Sequence, residues 1–210
     1  MTDLAAGTHG GSFGAQNHDK SAKFVPGQPD MWAFVLFETL IFTAYFGFYL
    51  FYRSQSPEVF LHAQAQLDLR IGVFNTLVLL LSSWSVARCV QSAREGAYRP
   101  ALRDAFLTAF FGLVFLCSKV FEWARQIHMG NGFSSNEFFT YYFFLTGIHF
   151  VHLLIGFVVL GVVIYQLRSP APRFPGSRGS RQKLVETCAT YWHTVDFLWV
   201  LIFALLYVVR

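Results

Sequence analysis

Four groups of ionisable side chains interrupt apolar stretches of this chain, and their types and spacing decide what chemistry it could carry. Glu38 lies in Phe37-Glu38-Thr39-Leu40-Ile41-Phe42, with no basic residue within a helical turn. Hydrocarbon disfavours the charged form of a carboxylate, so an acid at that depth is either proton-linked and modulatory or a clamp. As a clamp it would hydrogen-bond a neighbouring helix, through Thr39 or Asn75. Lys119, Glu122 and Arg125 recur at a spacing of three, which makes them neighbours on one helix face. Glu122 can neutralise either base, and internal neutralisation is the simpler reading, because this stretch supplies no further polar groups for a proton path. His149 and His152 also stand three apart. Imidazole is the commonest metal ligand, so the pair, with His193 as a third ring, raises a haem or metal site. The alternative is helix–helix hydrogen bonding beside Gly147, Gly156 and Gly161, whose small size admits a second helix. The last group is Tyr191-Trp192-His193-Thr194-Val195-Asp196, where the Asp196 carboxylate could orient the His193 ring. A serine-type triad needs a placed nucleophile and oxyanion donors, and no local motif provides them. A polar clamp is expected there. The residues therefore assign no catalytic group and no metal ligand set; His9 and His18, isolated in a polar segment, add none.

The elements that must position these groups follow from composition. Of 210 residues, 54% are hydrophobic, 19% aromatic and only 13% charged, with 25 phenylalanines. A soluble domain carries about 25% charged residues, so a soluble monomer is excluded. Disorder fails on the same count, and three cysteines (Cys89, Cys117, Cys188) make no disulfide scaffold. A net charge of +4 marks loops on one membrane face rather than a nucleic-acid surface. A bilayer core about 30 Å thick needs roughly 20 mainly apolar residues per helix, and five stretches qualify: 31–52, 71–90, 105–127, 138–167 and 184–209. Runs such as Leu77 to Leu81 do not alternate, which disfavours barrel strands. The expectation is an all-α bundle of five transmembrane helices over 31–210, preceded by a polar, flexible tail over 1–30 without the apolar run of a secretory signal.

Orientation follows from Lys and Arg. With five spans, one side carries eleven of them: Lys20, Lys23, Arg88, Arg94, Arg99, Arg103, Arg168, Arg173, Arg178, Arg181 and Lys183. The other carries four: Arg53, Arg70, Arg125 and Arg210. The positive-inside rule puts the amino terminus in the cytoplasm and the carboxyl terminus in the periplasm. The connector Ser169-Pro170-Ala171-Pro172-Arg173-Phe174-Pro175-Gly176 reads as extended and cytoplasmic, and Gly130-Asn131-Gly132 as a tight turn before the fourth span.

Taken together, the motifs resemble subunit III of the haem–copper oxidase superfamily. The matching stretches run in order: Phe37 to Phe46, Phe74-Asn75-Thr76-Leu77 with Ser82-Ser83, Glu122, Thr146-Gly147-Ile148-His149 with His152 and Gly156, then Tyr191 to Trp199. The resemblance implies a multi-pass subunit of a bacterial inner membrane that packs on a catalytic subunit, has no redox metal of its own and holds phospholipid between its helices. By it, Glu38 matches a membrane acid that reacts with carbodiimides in longer relatives, while Asn75, Glu122, His149, His152, Trp192, His193 and Asp196 match a structural signature. Seven-helix members have two further leading helices; the five-helix pattern here is shared with quinol oxidase subunit III and a protein associated with nitric oxide reductase. Pro26-Gly27-Gln28-Pro29-Asp30-Met31-Trp32, Ser82-Ser83-Trp84-Ser85-Val86 and Phe143-Phe144-Leu145-Thr146-Gly147 look more like the latter. The expected role is thus non-catalytic: supporting assembly, stability or sustained turnover of a nitric oxide reductase, or alternatively of a cytochrome c or quinol oxidase. A haem- or metal-binding membrane protein using His149, His152 and His193 is the alternative of another class. A small transporter, suggested by the intramembrane acids, lacks the broken helices such a site uses.

Overall fold

The computed structural model describes residues 29–168 and 177–209. Most of the polar amino-terminal segment, with His9 and His18, and the connector 169–176 lie outside the described residues. Within them every element is a helix: α1 Pro29–Gln55, α2 Pro57–Gln64, α3 Leu69–Arg94, α4 Tyr98–His128, α5 Glu137–Arg168 and α6 Ser177–Phe203, which runs on into a π-helical turn, Ala204–Val208. Five are long and apolar enough to cross a membrane: Met31–Gln55, Leu69–Arg94, Tyr98–His128, Glu137–Arg168 and Arg181–Val208.

All five begin earlier, or end later, than their apolar stretches. Hydropathy counts the residues that hydrocarbon accepts, whereas backbone hydrogen bonding continues through the interface. At the start of α4 the extension carries packing, since Ala101 and Asp104 are buried ahead of the expected 105. Helix α2 is not foreseen at all. It is too short to span, begins with Pro57 at its first turn, and exists because Phe60 tucks inward, edge-on to Tyr49 at 5.4 Å and Phe138 at 5.9 Å between centroids. Gly96 (φ +74°) turns the chain between α3 and α4, and Gly130 (φ +85°) turns it after α4; both conformations favour a residue without Cβ.

The hairpin α3–α4 is the most extensive packing, α6 lies against α3 and α5, and α5 closes on α4. Helix α1 sits at the edge, against α5, α6 and α2. Its Leu36, Phe37 and Leu40 remain 69%, 61% and 70% exposed, a face for lipid or a partner chain. The interior is aromatic, filled by Trp192, Trp199, Tyr49, Tyr142, Phe42 and Phe115.

Close approach depends on one of the three expected glycines and on two others. A Cβ on Gly156 would stand 3.2 Å from the Trp192 ring, so this one serves packing, but Gly147 and Gly161 face open space with nothing within 4 Å. The reason is angular: nine residues at about 100° each carry Gly156 half a turn away from Gly147. The tight sites are Gly72, 2.9 Å from both Phe203 and Tyr207, and Gly112, 2.8 Å from Phe157 and 3.1 Å from Trp192.

Candidate functional site: buried polar clusters between the helices

Glu38 finds its partner across the α1–α5 contact. Its Oε2 lies 3.0 Å from His152 Nε2, with the two side chains 13% and 15% exposed. His152 Nδ1 is 2.8 Å from the carbonyl of Ile148. A carbonyl only accepts, so Nδ1 carries a hydrogen and Nε2 faces the acid. Tyr191 OH donates to the His152 carbonyl at 2.9 Å, and Phe42 covers the ring at 5.8 Å. The clamp is therefore not made through Thr39 or Asn75. Thr39 Oγ1 donates back to Val35 O within its own helix at 2.7 Å, and Asn75 is fully buried on α3. The pair escaped the sequence because its members are 114 residues apart.

A second cluster joins α4, α5 and the π-helical turn. Lys119 Nζ donates to Glu122 Oε2 at 3.0 Å, to Tyr207 OH at 2.9 Å and to Tyr142 OH at 3.3 Å, while Tyr207 OH donates to Glu122 Oε1. Lys119 and Glu122 are both buried, with the ammonium 5.0 Å from the Trp199 ring centroid and 4.8 Å from that of Tyr142. Of the two bases considered, Glu122 takes Lys119; Arg125 stands 3.6 Å from Asp68 instead. Both carboxylate oxygens and the ammonium have hydrogen-bond partners, the condition under which a buried ion pair is tolerable. The tyrosines are the part sequence reasoning missed. Their OH groups meet the pair only because α5 and the end of α6 close on α4.

The third arrangement is a ladder between antiparallel α3 and α6. Trp192 Nε1 donates to Ser82 Oγ at 2.6 Å, His193 Nδ1 lies 2.6 Å from Ser83 Oγ, and Trp199 Nε1 donates to Thr76 Oγ1 at 3.1 Å. His193 is thus oriented by Ser83, not by Asp196. The Asp196 carboxylate is buried beside Ser83 without a well-formed hydrogen bond among the described residues. Facing helices compete with the i, i+3 partner, and here α3 wins the ring.

The three histidines do not converge. His152 serves Glu38, His193 serves Ser83, and His149 is buried between the Phe115 and Trp199 rings, at 5.7 and 5.3 Å, without a hydrogen-bond partner among the described residues. Nor do any three His, Cys, Asp or Glu side chains among the described residues form a group that could hold a metal. At the other end of the bundle, buried Asp104 lies 3.6 Å from Arg88 and from Arg103, and Arg94 Nε meets Glu186 at 2.9 Å. These pairs lie at the ends of the apolar stretches, where an acid reads as ordinary solvated charge.

Comparison with known proteins gives one consistent result. The family described as "Cytochrome c oxidase subunit III" matches residues 19–209. The chain is 31% identical to "Cytochrome c oxidase subunit 3" of Synechocystis sp. over 92% of its own length and 85% of the relative's. It is 25% identical to "Cytochrome bo(3) ubiquinol oxidase subunit 3" of Buchnera aphidicola, covering 84% and 83% of the two chains. It is also 27% identical to "Heme-copper oxidase subunit I+III" of Aeropyrum pernix, over 85% of its own length but 22% of that longer chain.

Proposed function

Because the chain belongs to the cytochrome c oxidase subunit III family, we propose that it supports the assembly and sustained turnover of a respiratory haem–copper complex through contact with its catalytic subunit. Subunit III is a non-catalytic member of such complexes, and this chain is a multi-pass protein of the bacterial inner membrane. The match across residues 19–209 carries the reading. The relative in which subunits I and III share one polypeptide supports contact with the catalytic subunit.

Which catalytic subunit it joins is the finer question. The Pro26 to Trp32 lead-in, Ser82 to Val86 and Phe143 to Gly147 resemble the branch associated with nitric oxide reductase, and on them rests our reading of that partner. The relatives named for cytochrome c and ubiquinol oxidases favour the second reading, an oxygen-reducing complex. Phospholipid along the outward apolar faces is the expected company, with no redox cofactor on this chain. The Glu38–His152 pair is the site through which we expect the chain to modulate its partner.

The test is recovery of the tagged chain from native membranes in mild detergent, with haem spectra and separate nitric oxide and oxygen consumption assays of the recovered complex. A haem-bearing partner that consumes nitric oxide supports the finer reading. One that consumes only oxygen supports the second. Recovery of the chain with no haem-bearing partner overturns the subunit role.

A further inference from the structure

Two of the three cysteines, Cys89 on α3 and Cys188 on α6, are free thiols at 1% exposure, while Cys117 on α4 is exposed. Neither buried thiol takes part in the polar clusters between the helices. The antiparallel pairing of α3 with α6 sets them against each other. Trp192 bonds to Ser82 towards the middle of the bundle, and Arg94 meets Glu186 at its positively charged end. Between these contacts, Cys89 lies seven residues beyond Ser82 on α3, two helical turns and therefore on the same face. Cys188 lies four residues before Trp192 on α6, one turn away and again on the same face. The two thiols interact electrostatically across the seam. Cα atoms of α3 and α6 approach within 8 Å of one another. The adjoining buried residues Ala93 and Ala189 are small, which lets helices pack closely.

A disulfide needs Cα atoms about 4.4–6.8 Å apart, a range open to facing residues of two helices packed this closely. Cytoplasmic reductants keep exposed thiols reduced, but exchange requires an attacking thiol to reach a sulfur. Burial removes that access, so a small neutral oxidant is the reagent that fits the site. We propose that Cys89 and Cys188 form a covalent modification site, which hydrogen peroxide converts into a disulfide joining α3 to α6. In the first step one sulfur attacks the peroxide and the O–O bond breaks, giving a sulfenic acid and one water. The second thiol then displaces the sulfenic hydroxyl as water and the S–S bond closes. Two thiols and one peroxide thus give one disulfide and two waters: each sulfur gives up one electron and each peroxide oxygen accepts one. The product is neutral, so no charge is left in the apolar interior. The bond clips the seam that holds Trp192 against Ser82. It lies within this chain and does not depend on which catalytic subunit the chain joins.

The test exposes the tagged chain in native membranes to hydrogen peroxide, blocks remaining thiols with N-ethylmaleimide, then denatures and digests with trypsin without reductant. Cleavage after Arg88, Arg94 and Lys183 places Cys89 and Cys188 in different peptides, and Cys117 falls in a third. Mass spectrometry should find the Cys89 and Cys188 peptides linked after peroxide, with Cys117 carrying maleimide. Reduced glutathione should leave the link intact in the folded protein and cut it after denaturation. Because it closes a loop of about 100 residues, the bond should raise the unfolding temperature in detergent by roughly 5–15 °C. Cys89→Ala should abolish both the link and the gain, and Cys117→Ala should keep both. The absence of a linked peptide, a link to Cys117 instead, or ready reduction of the folded protein by glutathione each overturns the proposal. So does a link that leaves the unfolding temperature unchanged, or a peroxide-dependent gain in Cys89→Ala equal to that of wild type.

Discussion

Glu38 and His152 meet across the α1–α5 contact, and a substitution can remove the acid without removing the contact. In Glu38→Gln the amide N–H can donate to Nε2 in place of the carboxyl contact, and the side chain keeps its volume. We expect the variant to assemble, with turnover of the complex reduced in part or decaying sooner. Steady-state assays over successive turnovers would measure this, and complete loss of activity in a fully assembled complex would refute a modulatory role. The Lys119–Glu122 pair should behave differently. Lys119→Met strands a buried carboxylate against Tyr207, and breaking a buried pair costs about 3–5 kcal/mol. Lys119→Met with Glu122→Gln should recover most of that loss, since the double variant leaves no unmatched charge; thermal unfolding in detergent distinguishes the two. Asp196 reverses what its spacing from His193 implies. Because Ser83 and not Asp196 holds the ring, Asp196→Asn should leave the unfolding temperature within a few degrees of wild type. A loss as large as that of Lys119→Met would show that the carboxylate carries a pairing role after all.

At the scale of elements, the π-helical turn does what a continuous α-helix would not. Widening the helix over Ala204–Val208 shifts the register of its last residues, and Tyr207 reaches Lys119 and Glu122. The turn is held from outside by Arg53 and Gln64, which both donate to the Val209 carbonyl, at 2.7 and 2.9 Å. Gly72 makes room for it, with Phe203 and Tyr207 rings where a Cβ would go. Gly72→Ala should therefore destabilise the chain by about 1–3 kcal/mol through overpacking. Gly147→Ala meets nothing within 4 Å and should be neutral or stabilising, by up to about 1 kcal/mol from helix propensity. Melting both variants side by side checks the pair. Equal destabilisation would mean that Gly147 has a neighbour outside this chain.

For the whole molecule, the eleven-to-four distribution of Lys and Arg between the two ends of the spans predicts a cytoplasmic amino terminus and a periplasmic carboxyl terminus. Reporter fusions at both ends, read in intact cells, measure this, and finding both on one side would eliminate five crossings. Edge helix α1 is the other whole-molecule feature. It brings Glu38 to α5 while leaving most of its own apolar surface outward, so the Glu38–His152 pair lies next to a face that a catalytic subunit or lipid must cover.

The number of spans, their helical character and the family were legible in the sequence, because each depends on quantities local to the chain. A helix in hydrocarbon satisfies its own backbone, so about twenty apolar residues announce a span whatever they pack against. The residue types of the polar signature were legible too, and helical spacing put Glu122 beside Lys119 and Arg125, though only the structure chose Lys119. What only the tertiary structure decided was partnership between helices. Glu38 with His152, His193 with Ser83, and the two tyrosines on the Lys119–Glu122 pair join positions far apart in the chain. Periodicity tells which residues share a face but not which face of another helix it meets. That choice is made by close packing around Trp192, Trp199 and the glycines that admit them, and a polar group in a membrane takes whichever partner packing brings within about 3 Å.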